Sequence, residues 1–168
     1  MSALPVTGGR FFVENIPQSA DLLIFYIRVM ETPFILMLEP DADDRYITET
    51  FFRENDFHAR LEFVADEEEL EDRMSDLRLQ NDLPSLILLS IRTNPQLGIL
   101  LIKTLKSKSA YAHIPFVVLS GISDENLVKQ CYAAGANSFI CKPSGDQSTN
   151  QKILNFFQYW FRTVELAG

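Results

Sequence analysis

Histidine and cysteine are scarce in this chain, with two of each among 168 residues. Cys131 and Cys141 form no metal-ligand pattern, and a reducing cytoplasm needs no disulfide, so both read as free thiols. Basic residues are also few. Lys and Arg total 15 against 23 Asp and Glu, a net charge of −8. That balance excludes nucleic acid and anionic membrane as main partners, since it offers no basic field to meet them. Long hydrophobic runs are missing too. The stretch from Leu22 to Ile27 is bounded by Asp21 and Arg28, well short of the about 20 apolar residues that span a bilayer. Only Arg10 precedes that stretch, with Glu14 and Asp21 between, so it lacks the basic start of a signal peptide. The expected location is therefore cytoplasmic. Repeats and low-complexity segments are absent. What is abundant is core-forming material: 46% hydrophobic residues, 23% charged, and 13 Phe. A chain of this length makes about one domain and buries roughly 70% of its unfolded surface.

Two regions differ. Residues 1–33 carry Pro5, Gly8, Gly9 and Pro17, then an apolar stretch at 20–30, and read as a loop followed by a helix that must bury itself. Residues 34–168 alternate strand and helix. Phe34–Leu38 is a continuous apolar run, the pattern of a strand buried on both faces. The acidic segment at 41–44 opens a helix to about Asn55, with Tyr46, Ile47, Phe51 and Phe52 expected inward. Arg60–Val64 is a second strand. Asp66 and Glu69 form a capping box for a helix that buries Leu70, Met74 and Leu77. A third strand covers Leu86–Leu89 and ends at Ser90, with a helix expected from about Leu97 to Lys106. A fourth covers Phe116–Leu119 and ends at Ser120. Ser123 or Asp124 caps the next helix, which Gly135 stops. Ser138–Cys141 is a short fifth strand, and Ser148 with Gln151 reads as a capping box for a last helix to about Leu166.

Five strands separated by helices imply an α/β fold, a parallel sheet with helices on both faces, and a site at the carboxyl ends of the strands. Those ends are Glu39-Pro40-Asp41, Ser90, Ser120 and Lys142-Pro143.

The segments His113–Ser120, Gly135–Pro143 and Leu86–Leu89 resemble the receiver domain of two-component response regulators. The ending Phe156-Phe-Gln-Tyr-Trp160 is similar to the single-domain receivers that work beside bacteriophytochromes. The resemblance implies a flavodoxin-like (βα)5 fold over residues 34–168. It also implies a site with two acidic residues holding Mg2+, an Asp that takes a phosphoryl group, a hydroxyl residue and a Lys-Pro pair. A carboxylate is needed for an acyl phosphate to form, Mg2+ shields the transferring oxygens, and the lysine and hydroxyl hold them.

Part of that set stands here. Ser120 matches the hydroxyl position, Lys142 and Pro143 the Lys-Pro pair, Phe139 the switch aromatic, and Glu39 the first acidic position. The second acidic position is Pro40, with Asp41 one residue out of place. The phosphoacceptor position is Ser90, anchored by Leu86–Leu89 before it and Gly98 after it. A serine hydroxyl is a poor nucleophile without an adjacent base, and neither His58 nor His113 is placed at the carboxyl ends of the strands.

The expected molecule is a degenerate receiver, or pseudo-receiver: no enzyme, with Mg2+ binding weak or absent, acting by protein contacts. The implied partners are a histidine kinase or bacteriophytochrome-type sensor and a second copy of the chain. Leu154, Tyr159 and Phe161 lie off the core stripe of the last helix and form the expected dimer or partner surface. Two alternatives stand beside this: an active phosphoacceptor using a displaced carboxylate, Asp41 or Glu39, and a Ser90–Lys142 hydrolase. Cys141 adjoins Lys142, as a redox-active thiol would, but is expected to be a buried strand residue.

Overall fold

The computed structural model describes residues 32–92, 94–122, 124–142, 147–164 and 166. The expected N-terminal extension, apart from its last two residues, and Pro143 lie outside the described residues.

Five strands, β1 (Phe34–Leu38), β2 (Arg60–Val64), β3 (Leu86–Ile91), β4 (Phe116–Ser120) and β5 (Ser138–Cys141), form one sheet in the order β2-β1-β3-β4-β5. All four pairings are parallel. Helices α1 (Ala42–Glu54), α2 (Glu67–Gln80), α3 (Pro95–Ser107), α4 (Glu125–Ala134) and α5 (Gln147–Arg162) connect and follow them. This is the doubly wound, flavodoxin-like arrangement, with its switch point between β1 and β3.

Alternation along the strands builds two cores. Phe34, Leu36 and Leu38 join Ile87, Leu89 and Ile91 in one, packed with Leu70, Met74, Leu77, Ile102 and Leu105 of α2 and α3. Ile35 and Met37 join Leu86 and Leu88 in the other, which Phe52 of α1 and Phe157 and Trp160 of α5 cover. Each such side chain contributes about 1.5–3 kcal/mol by leaving water. Because β1 and β3 are buried on both faces, their sequences are continuous apolar runs.

The helix ends follow their capping residues. Asp41, Asp66, Asn94 and Asp124 accept bonds from the first-turn amides of α1, α2, α3 and α4. Asp124, not Ser123, is therefore the cap of α4, and Pro95 starts α3 two residues earlier than expected. Gly135 ends α4 with φ +110°, as the left-handed terminator.

Four local expectations need correction. Tyr46 and Ile47 point outward, 65% and 60% exposed. The inward stripe of α1 is Asp44, Arg45, Thr48 and Phe52, because the helix start faces the polar strand ends and only its second half covers the apolar sheet. Helix α5 starts at Gln147, so Ser148 lies inside it, and the Gln151 amide donates to Asn155 Oδ1 at 2.8 Å instead of turning back to a cap. The helix stops at Arg162 rather than near Leu166. Cys141 is exposed, because β5 is an edge strand and this residue is its last.

Candidate functional site at the strand ends

Glu39 follows β1 directly and is fully buried, a costly place for a carboxylate unless it is paired. Its Oε2 accepts from Lys142 Nζ at 2.6 Å, and its Oε1 accepts from the Asp41 amide at 3.1 Å. The Arg45 guanidinium donates to the Glu39 carbonyl from within α1. Lys142, the first residue after β5, also donates to Asp44 Oδ2 at 2.8 Å. Glu39, Asp44 and Lys142 thus form one network that ties β1, α1 and β5 together.

Asp41 has both oxygens engaged. Oδ1 accepts the amides of Asp43 at 2.9 Å and Asp44 at 3.2 Å. Oδ2 accepts from Arg92 Nη1 at 2.8 Å, and that nitrogen lies 3.8 Å from Glu39 Oε1. The Arg92 guanidinium, with help from the two amides, holds the Asp41 carboxyl below its ordinary value, and the same pairing raises Arg92.

Ser90 continues the face of β3 that carries Leu86 and Leu88, and is 5% exposed. Its hydroxyl is buried and has no hydrogen-bond partner. The lysine that a Ser-Lys hydrolase would need is turned to two carboxylates. Ser120, at the end of β4, accepts the Ile122 amide at 3.1 Å, and its carbonyl accepts the Lys142 amide, which aligns the lysine at the mouth of the site. Phe139 is half-buried against the α2–α4 core, and its amide donates to Tyr132 Oη at 3.3 Å.

The structure therefore brings Glu39, Asp41 and Lys142 together, with Ser90 and Ser120 at the neighbouring strand ends. It also adds two residues that sequence reasoning missed, Arg45 and Arg92, and draws in Asp44 from the acidic segment at 41–44. The signal for Arg92 was its position two residues past Ser90, at a strand end facing the acidic 39–44 segment. Asp44 also lies in the first turn of α1, where a carboxylate suits the helix dipole.

These residues do not fit Mg2+. The ion needs oxygen ligands in near-octahedral order, and here Glu39 and Asp41 are both committed to cations or amides. Among the described residues no group of three or more His, Cys, Asp or Glu side chains could hold a metal ion.

The model of the response regulator receiver domain matches residues 35–154. The chain belongs to that family. A relative, the probable methanogenesis regulatory protein FilR2 of Methanothrix harundinacea (strain 6Ac), is 27% identical over 77% of this chain and 85% of its own length. The phosphorylated cyanobacterial phytochrome response regulator RcpA superposes with a TM-score of 0.72 at 21% identity, covering 82% of this chain and 99% of that one. A response regulator in red light signaling of R. palustris gives 0.70 at 21% identity, covering 81% and 99%. Receivers solved with Mn2+ or Mg2+ share the fold. Among the described residues, no helix of this receiver is long and apolar enough to cross a membrane.

Away from the strand ends, α5 packs by aromatic rings. Phe157 meets Phe52 edge-on at 4.7 Å, and Phe161 stacks on Phe157 at 5.8 Å and meets Phe57 at 6.0 Å. Phe161, expected on the outer face, thus gives part of its ring to the aromatic core of the chain itself. Leu154 is half-buried and Tyr159 is exposed.

Proposed function

We propose that this receiver is a pseudo-receiver: a cytoplasmic module of two-component signalling that is not phosphorylated at the usual position and signals through protein contacts. One observation carries the reading. The side chain at the end of β3 is a serine whose buried hydroxyl has no hydrogen-bond partner, hence no base to activate it. His58 and His113 precede β2 and β4, at the amino ends of the strands and away from Ser90. Asp41, the displaced-carboxylate alternative, caps α1 and pairs with Arg92, and neither role leaves it an unengaged oxygen.

The partners that suit such a module are a histidine kinase or a phytochrome-type sensor, and a second copy of the chain. The dimer surface is the outer side of α5, with Tyr159 at its centre and Leu154 and the open part of Phe161 beside it. Aromatic groups of this kind are enriched at interface cores.

The test is incubation of the full chain with acetyl phosphate and Mg2+, read by intact mass, together with sedimentation velocity. The expected result is no hydroxylamine-labile phosphoryl adduct, and a dimer that Tyr159→Glu converts to monomer. A stoichiometric adduct lost in Asp41→Asn overturns the reading in favour of the displaced carboxylate. A monomer at high micromolar concentration removes the dimer. Tyr159 is the right probe because Phe161→Glu would also break the aromatic core.

A further inference from the structure

The carboxylates at the strand ends are matched by cations of the chain itself. Lys142 meets Glu39 and Asp44 from the β5 side at 2.6 and 2.8 Å. On the β3 side, one atom, Arg92 Nη1, lies 2.8 Å from Asp41 Oδ2 and 3.8 Å from Glu39 Oε1. It therefore stands between carboxylates of two residues in the segment linking β1 to α1. Arg45 adds a third positive group at the Glu39 carbonyl. At the end of β4 stands Ser120, whose hydroxyl is neutral.

We propose that Arg92 is the resident cation of this site: its guanidinium bridges the Glu39 and Asp41 carboxylates in the place a divalent metal would take. The choice of arginine is chemically apt. A guanidinium stays charged at every accessible pH, sheds water more readily than an ammonium, and presents several donors in a fixed fork. Mg2+ gives up its water reluctantly and would have to displace that fork from carboxylates already bonded to amides. The strand ends thus keep one charge-balanced arrangement whether or not metal is present. The inference deepens the pseudo-receiver reading, yet its measurement is separate, because it concerns metal response and not phosphoryl transfer.

The test compares thermal unfolding of the full chain, wild type against Arg92→Gln and Arg92→Lys, in chelator and in millimolar Mg2+ or Mn2+ at matched ionic strength. Arg92 is part-exposed, so both variants should fold. Arg92→Gln leaves Asp41 Oδ2 without its cation and removes the positive charge 3.8 Å from Glu39 Oε1, which the Asp41 amide still bonds. It should melt about 2–4 °C lower in chelator. Divalent metal should restore that loss by mass action, with matching heat in a calorimetric titration. Wild type and Arg92→Lys should not respond. A wild type that gains as much from metal as Arg92→Gln overturns the proposal. So does an Arg92→Gln variant that ignores metal, whether or not its melting point falls. A phosphoryl adduct on wild type would overturn the pseudo-receiver reading alone, provided the metal responses come out as stated.

Discussion

At the scale of single residues, the two thiols show how differently one residue type behaves in two settings. Cys131 is fully buried on α4, and that burial raises its thiol above the ordinary value. Cys141 is exposed at the end of an edge strand. The thiolate is the reactive form, so access and pKa both protect Cys131. Alkylation of the native protein with iodoacetamide at pH 8 should label one thiol per chain, and peptide mapping should place it at Cys141. In denaturant both should react. Native labelling of Cys131 at a comparable rate would mean that α4 opens readily. Cys141 also marks a limit of reading from sequence. A cysteine between Ile140 and Lys142 in a short strand looks buried, and only the sheet order makes that strand an edge. The site was legible in the same uneven way. Glu39, Ser90, Ser120 and Lys142 follow strands whose apolar runs announce them. Arg45 and Arg92 reach the site by side-chain length, and only the strand-end position of Arg92 hints at it.

At the scale of elements, the fit of α3 onto β3 depends on one missing side chain. A Cβ built on Gly98 would lie 3.0 Å from Ile91 Cγ1 and Cδ1, so tight that Ile91 would have to shift by a few tenths of an ångström. Ile91 is itself buried, the last residue of β3 and one past the strand end expected from its apolar run. Gly98→Ala gains about 1 kcal/mol of helix propensity, but crowding a packed core costs about 1–3 kcal/mol. The net expectation is a loss of about 1 kcal/mol in urea unfolding. Ile91→Val, which removes Cδ1, one of the two close atoms, should cost about 0.5–1.5 kcal/mol alone. Combined, the two should cost less than their sum by at least about 0.5 kcal/mol. Strictly additive losses would show that the helix moves away rather than the isoleucine yielding. Element types and order were readable here because β1, β3 and β4 carry clear apolar runs and α1 to α4 begin at capping residues. The face of α1 was not. Its hydrophobic pattern pointed Tyr46 and Ile47 inward, whereas the helix spends that stripe on Asp44 and Arg45, which serve the strand ends. A polar site at the mouth of a sheet reverses the usual inside-out rule over the first helical turns.

At the scale of the whole molecule, the proposed pseudo-receiver reading has the fold holding retained groups at the strand ends while the groups that would start phosphoryl transfer are replaced. Lys142 is aligned by Ser120 and anchored by Glu39, and Ser90 occupies a buried position on the next strand. Two substitutions, Pro40→Asp and Ser90→Asp, should therefore restore transfer from acetyl phosphate. The carboxylate introduced at position 90 would supply the nucleophile, with acetate leaving as the acyl phosphate forms. The one introduced at position 40 would supply the oxygen that Pro40 lacks. Neither change alone should suffice, since one variant lacks a ligand and the other a nucleophile, and groups that act as a unit are strongly non-additive. The two carboxylates also tip the charge balance that Arg92 and Lys142 maintain, because they crowd Glu39 and Asp41. The double variant should accordingly melt lower in chelator than wild type and recover in millimolar Mg2+. Adding Arg92→Gln should strengthen that metal response, since it removes the competing cation. The measurements are intact mass after acetyl phosphate treatment and Trp160 fluorescence with beryllofluoride. A folded double variant that takes up metal yet no phosphoryl group would show that the decay extends past these positions. The loop before α3, where Asn94 caps the helix, is then the next place to change.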